Sequence, residues 1–182
     1  MLRPTKSQMN ARIVDCAAGL FAKHGFENTS LQQIADAIGY SKTGLLYRYP
    51  SKKAIYEAGF QAGRDHVTAL LASVEGMRPG IRRDRTVVAS YVDFTFEWPG
   101  VSAFANRLSG SEESTEPQLM EIALLIYQAL GTDPFKAKAQ RIVRITLAFS
   151  GLGIAAISAV RLGRQKEWRD DIIASAMNAL GH

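Results

Sequence analysis

The stretch from 29 to 52, TSLQQIADAIGYSKTGLLYRYPSK, constrains this chain more than any other. Leu31, Ile34, Ala35 and Ile38 fall at i, i+3, i+4 and i+7, which is one apolar stripe of a short helix. Thr29-x-x-Gln32 and Ser30-x-x-Gln33 both fit a capping box, so either Thr29 or Ser30 starts that helix, and Gly39 sits where a left-handed residue ends it. A second helix must begin almost at once. Ser41 is a good N-cap, and Tyr40 before it is placed to pack on Leu45 as a hydrophobic staple. Leu45 and Tyr49, four apart, are expected to face the first helix, leaving Lys42, Thr43, Gly44, Leu46, Tyr47 and Arg48 on the open side. Pro50 stops this helix and Ser51 caps the next, with Lys52 and Lys53 in its first turn. The spacing predicts helix, tight turn, helix, with the second helix exposing the donors, ring and apolar side chain that a reader of the DNA major groove needs.

Charge agrees with that placement. The chain of 182 residues carries a formal +5, and residues 1–60 hold 8 Lys/Arg against 4 Asp/Glu, a net of +4. The remaining residues hold 14 against 13. The excess therefore lies with the candidate DNA reader, as phosphate binding requires.

An ungapped run from Gly25 to Ile55 resembles the tetracycline-repressor family of transcriptional regulators. The matching positions are Gly25-Phe26, Thr29-Ser30, Ile34-Ala35, Gly39, Ser41-Lys42, Leu45 and Pro50-Ser51-Lys52. Three positions depart from the usual pattern: Leu45-Leu46 stands where the family has Leu-Tyr, Tyr47-Arg48 follows, and Tyr49 replaces a Phe. Because the Tyr replaced by Leu46 often touches DNA in the family, the resemblance does not carry over a familiar operator. It implies DNA contacts by Lys42, Thr43, Gly44, Tyr47 and Arg48 in the major groove, with Leu46 against a thymine methyl. Gln32 is expected to reach a base or phosphate, and Thr29 and Lys52 to hold the backbone.

Ahead of this stretch, Ile13, Ala17, Leu20, Phe21 and His24 recur at helical spacing over residues 7–24, a helix that braces the pair. After it, a long helix from Ser51 to about Glu75 joins two domains, 1–50 and 51–182. Further helices are expected over 82–98, 101–108, 119–130, 135–163 and 168–180, with a turn at Pro99-Gly100 and a polar loop at 109–117. Every segment is helical and none alternates with period two, so the class is all-α with about nine helices. The segment free of charge between Arg144 and Arg161 is shorter than a membrane span of about 20 residues and contains Gly151, Gly153 and several hydroxyls, so it reads as a central helix. The last two helices have more apolar surface than one small subunit needs, which suggests a homodimer through them.

Sharper chemistry finds little support. Gly151-Leu152-Gly153-Ile154-Ala155-Ala156 matches a dinucleotide fingerprint, but the motif has force only between a strand and a helix, and here both flanks are helical. Glu112, Glu113 and Glu116 lie in a Ser-rich loop and read as capping and solvated residues. Cys16 has no base beside it, and His24, His66 and His182 lack metal-ligand spacing, so no catalytic residue, metal or cofactor is expected. One cysteine, and an N-terminus without the apolar core of a signal peptide, point to the cytoplasm. The aromatic stripe Tyr91, Phe94, Phe96, Trp98 is either plain core or the wall of a ligand pocket. In the second reading an apolar or aromatic effector sits among Tyr91, Phe94, Trp98, Tyr127 and Phe149, with Asp93, Glu97 or Arg144 supplying polarity. The expected function is a ligand-responsive regulator, a repressor binding a palindromic double-stranded operator as a homodimer. The rival is a helical small-molecule binder or protein-interaction module without DNA binding.

Overall fold

The computed structural model describes residues 5–109 and 117–182, and the described residues form nine α-helices and no strand. These are α1 Lys6–His24, α2 Leu31–Ile38, α3 Lys42–Arg48, α4 Lys52–Ser73, α5 Ile81–Glu97, α6 Pro99–Ser109, α7 Pro117–Ala129, α8 Ala139–Leu162 and α9 Gln165–Leu180. The acidic cluster at 112, 113 and 116 lies outside the described residues.

Local signals set most of the ends. Thr5 and Gln8 close a capping box on α1, and Ser30 and Gln33 close one on α2, so Ser30 and not Thr29 is the cap. Gly39 adopts the left-handed conformation, with φ of 71°. Ser41 accepts from the Gly44 N–H at 3.0 Å and Ser51 from Ala54 at 3.1 Å. Two expectations fail. Pro99 and Gly100 are not a turn but the first two residues of α6, where a proline loses nothing by lacking its N–H. And α8 begins at Ala139 rather than Phe135, because Asp133 accepts from the Phe135 N–H at 2.9 Å and holds a separate turn.

The buried side chains form two apolar cores. The N-terminal core packs α1, α2 and α3 around Ile13, Phe21, Ile34 and Leu45, and it recruits Ile55 and Phe60 from α4 and Val101 and Phe104 from α6. Three short helices cannot enclose those side chains alone, so the core extends well past residue 50. The C-terminal core surrounds Val88, Val92, Ile145, Leu152 and Ile173, with α5 packed against both α8 and α9. By length and composition α8 would suffice to cross a membrane, yet it lies against α5, α6 and α9. Its Gly153 is where another helix comes close: a Cβ there would stand 2.9 Å from the Asn106 amide of α6. Gly151 has nothing near it and faces outward, so only one of the two glycines is a close-packing position.

Polar ties fix the helix ends within this core. Arg83 donates to the carbonyls of Met77, Gln128 and Ala129, closing the end of α7 over the turn after α4. Asp84, 1% exposed, accepts from Arg141 at 2.7 Å and meets His182 Nε2 at 2.8 Å, joining α5 to the start of α8 and the end of the chain. Arg141 and His182 remain partly open to water, so Asp84→Ala should cost roughly 2 to 3 kcal/mol, the low side for a broken buried pair, read as a lower denaturation midpoint. Ile173, 1% exposed, belongs to this core and not to an outer face, so Ile173→Asp should unfold the protomer; loss of helical circular dichroism checks this.

Candidate nucleic-acid interface and interior cavity

The α2–turn–α3 unit holds its open face by burying the other one. Ile34, Ala35 and Ile38 from α2 and Leu45 from α3 lie in the N-terminal core, which turns Lys42, Thr43, Leu46 and Tyr47 outward. These four occupy positions one, two, five and six of α3 and so share one side of the helix. Tyr47 is 92% exposed, an unusual state for a ring in a folded chain, and Leu46 is 37% exposed. The Lys42 ammonium has no partner among the described residues. Gly44 is partly covered, since a Cβ there would stand 3.2 Å from the Ser41 Oγ. Gln32 is exposed, with its amide nitrogen donating to Asp36 at 2.7 Å.

Three residues expected on this face are used inside the domain. Thr29 is 2% exposed and its hydroxyl donates to the Gly25 carbonyl at 2.8 Å, so it fastens the α1–α2 connection and cannot reach a phosphate. Arg48 donates through Nη1 to Asn10 Oδ1 at 2.8 Å, its guanidinium 5.9 Å from the Tyr40 ring centroid, which ties α3 back to α1. Lys52 donates to the Phe26 carbonyl at 2.6 Å and stands 4.2 Å over the Phe26 ring. Lys53, its neighbour, is the exposed one, 3.8 Å from Glu57. With these side chains anchored, Lys42, unpaired among the described residues, and Lys53, loosely paired with Glu57, are the exposed cations of α3 and the first turn of α4.

A second feature lies between the two cores: a cavity of about 290 Å3 walled by α4, α5, α6, α7 and α8. Tyr91, Phe94, Tyr127 and Phe149 line it as expected. Trp98 does not. It ends α5 and turns toward α1, beside Ala11, Asp15 and Cys16, stacking on Phe94 with centroids 6.3 Å apart. The expected polar groups are elsewhere too: Asp93 makes a two-point pair with Arg169 at 2.7 Å on the surface, Arg144 lies against Gly181, and Glu97 is exposed. The polarity comes from α6, whose Ser102, Asn106 and Ser109 recur at i, i+4 and i+7 and border the cavity. That stripe is visible in the sequence, but by periodicity it reads as a solvent face. His66 stacks on Phe94 at 4.3 Å and shares a hydrogen bond with Ser90 at 3.2 Å. Burial holds its imidazole below the ordinary value of 6.5, outweighing the Glu97 and Asp93 carboxylates.

The cavity and the α3 face share framework. Phe60 and Phe104 line the cavity and pack, with ring centroids 5.1 and 5.2 Å from Tyr56, into the cluster that contains Phe21 of α1. At the start of α6, Gly100 touches the α1 backbone, and a Cβ there would overlap the Asp15 carbonyl oxygen. The Asp15 carboxylate caps α6 by accepting from the Val101 N–H at 2.9 Å. Burial raises the pKa of Asp15, and the bonds from Val101 and Gly100 offset part of that rise.

Comparison with known proteins bears on this geometry. Residues 13–58 match the sequence profile described as bacterial regulatory proteins, tetR family. The HTH-type transcriptional regulator RutR of Escherichia coli K12 is 50% identical over 46 residues, 25% of this chain and 22% of RutR. The biofilm operon icaADBC HTH-type negative transcriptional regulator IcaR of Staphylococcus aureus strain Newman is 33% identical over 63 residues, 35% of this chain and 34% of IcaR. The matched stretch thus spans about a fifth to a third of these relatives. Among solved structures, the TetR family regulator PfmR from Thermus thermophilus superimposes with a TM-score of 0.57 at 20% identity over 93% of this chain and 97% of its own. A TetR-like regulator from a Rhodococcus species gives 0.52 at 21% identity over 99% and 100%. Both share the fold from end to end, and the helices that carry the exposed α3 face are the ones that match the tetR-family profile in sequence.

Proposed function

We propose that the protein is a ligand-responsive transcriptional regulator that binds a palindromic operator as a homodimer and represses from it. The observation that carries this reading is the α3 face, where a nearly free Tyr47 ring stands beside Lys42 and Thr43 on a helix too short for any other evident role. An exposed aromatic next to a cation and a hydroxyl suits base edges and phosphates, and no packing need explains it. Lys42, Thr43, Leu46 and Tyr47 enter the major groove, Gly44 lets the helix backbone come close, Gln32 contacts the flank, and Lys53 holds a phosphate. Arg48 and Lys52 serve by stiffening the unit.

Dimerisation is supported by the outer side of α8. Val143, Leu147, Ile154 and Leu162 are 55 to 65% exposed and recur along one stripe, beside the small residues Ala174 and Ser175 of α9. A row of apolar side chains of this length on a soluble protein marks a contact surface. A two-fold partner laying its own α8 and α9 there covers both rows at once.

The switch works through α4 and α6, which wall the cavity and also complete the N-terminal core. A ligand that shifts Phe60 or Phe104 shifts the seat of α1, and with it the separation of the two α3 helices in the dimer. Palindromic half-sites on one DNA face lie about 34 to 36 Å apart, or a multiple of that, and tolerate only a matching separation. A typical coupling of about 1 to 3 kcal/mol lowers DNA affinity some 5- to 150-fold.

Sequences selected from random DNA supply the test. Lys42→Ala or Tyr47→Ala should each cost about 1 to 3 kcal/mol on the selected site and relax its sequence, whereas Lys53→Ala should weaken all sites alike. Equal losses on selected and random DNA for the first two would remove the base-reading roles. Arg48→Ala should instead lower thermal stability, since it frees α3 from Asn10. Leu147→Glu places a charge on the outer α8 row without touching the protomer core; light scattering should then report a monomer with unchanged helix content and lost tight DNA binding. A dimer that survives this change would end the proposed contact.

A further inference from the structure

The cavity between the two cores is lined by residues of α4, α5, α6, α7 and α8. Among the described residues that line it there is no Asp, Glu, Lys or Arg. The wall is built from rings and branched chains of which Phe60, Phe94, Phe104, Tyr127 and Ile126 are representative. An ion brought into such a site would lose its hydration with nothing to compensate it.

Against this apolar background several polar groups are left with bonds unmade. The Tyr91 phenol is enclosed by the fold, burial alone pushes its pKa up, and its hydroxyl has no hydrogen-bond partner among the described residues. The Asn106 amide nitrogen is buried without an acceptor. Ser102, 3% exposed, has no side-chain bond among the described residues. Buried donors are ordinarily satisfied, and one left open, like the Asn106 amide nitrogen, lowers fold stability. Of the other hydroxyls facing the same space, Thr146 donates to the Ile142 carbonyl and Ser109 to Ala105, while Tyr127 and Ser150 make no side-chain bond among the described residues. Among these open groups, Ser102 and the Asn106 amide nitrogen are the ones buried on α6.

Size narrows the choice further. At an interior packing density of about 0.75, the 290 Å3 cavity holds on the order of a dozen heavy atoms. Rings on several sides favour a flat guest that offers its face to some and its edge to others.

We infer that the effector is an uncharged, planar molecule of one ring or two small fused rings, carrying a carbonyl or equivalent acceptor that takes hydrogen bonds from Asn106 and from Tyr91 or Ser102. This rests on the cavity being the effector site of the proposed regulator. It gives the polar end of the ligand to α6, the helix that abuts α1 through Gly100. The ring of the ligand supplies affinity, and its acceptor supplies selection.

Four probes of one shape and different polarity test the class on the full-length protein, by calorimetry and ligand-observed NMR: benzamide, toluene, benzoate and benzylammonium. Benzamide should bind, toluene about five-fold more weakly for want of an acceptor, and both ions at least about ten-fold more weakly than benzamide. Asn106→Leu and Tyr91→Phe remove one donor each at nearly constant volume. Each should weaken benzamide by about five-fold and leave toluene within about two-fold. Either variant suffices if the other fails to fold. The inference is overturned if benzoate or benzylammonium binds as tightly as benzamide, if no probe binds at millimolar concentration, or if benzamide ignores every folded variant. Operator affinity, measured separately with saturating benzamide, judges the switch. Correctly ranked binding with unchanged DNA affinity leaves the ligand class standing and removes the regulatory reading, whereas release of DNA by benzoate alone does the reverse.

Discussion

The closest approach between α1 and α6 is made by backbone. Gly100, the second residue of α6, comes so near α1 that a single added carbon would meet the Asp15 carbonyl, and Gly19 faces it from the other side, 3.6 Å from its Cα when given a Cβ. Contacts between backbones are stiff, because no rotamer change can take up a displacement. Asp15 then fastens the junction by capping α6 with a carboxylate that burial makes costly to ionise. The aromatic cluster around Tyr56 continues the same joint along α4. Everything said about the cavity acting on α3 depends on this joint being rigid.

Much of the fold is readable from short-range signals, and the reason is that helices are local objects. The stripe of Leu31, Ile34, Ala35 and Ile38, the serines at 30, 41 and 51, and Gly39 each report conformation within a few residues of themselves. What the sequence hides depends on partners far along the chain. Nothing near Arg48 announces that its guanidinium will meet Asn10, 38 residues away, and nothing near Lys52 announces the Phe26 carbonyl. Both look like free cations, because a basic residue on a short helix is free by default. Ile173 looks outward for a related reason: the apolar stripe on α9 is real, but periodicity cannot say which neighbour it packs against, and α5 and α8 already enclose it.

The site follows the same division. Tyr91, Phe94, Tyr127 and Phe149 are identifiable as a set because they are large rings in an apolar domain, while Trp98, equally large, turns away because α5 ends one residue before it. The stripe of Ser102, Asn106 and Ser109 looks like a surface. On a helix enclosed by its neighbours, a polar stripe signals an interior that has something to bind or solvate, and burial alone separates those two meanings. Of the charged residues expected in the pocket, Asp93 pairs with Arg169 at the surface, Glu97 is exposed and Arg144 lies against Gly181, so none of the three lines it.

The N-terminal core borrows Ile55, Phe60, Val101 and Phe104 from helices beyond residue 50. In the language of modular design, the α1–α3 unit is not a detachable head. A chimera cut after α3 would strip Phe21 and Ile13 of part of their cover, and one cut within α4 would still lack the α6 wall. Exchanging side chains on α3 within an intact chain leaves this core whole, and shuffling of whole domains at the α3–α4 loop is a route this architecture disfavours.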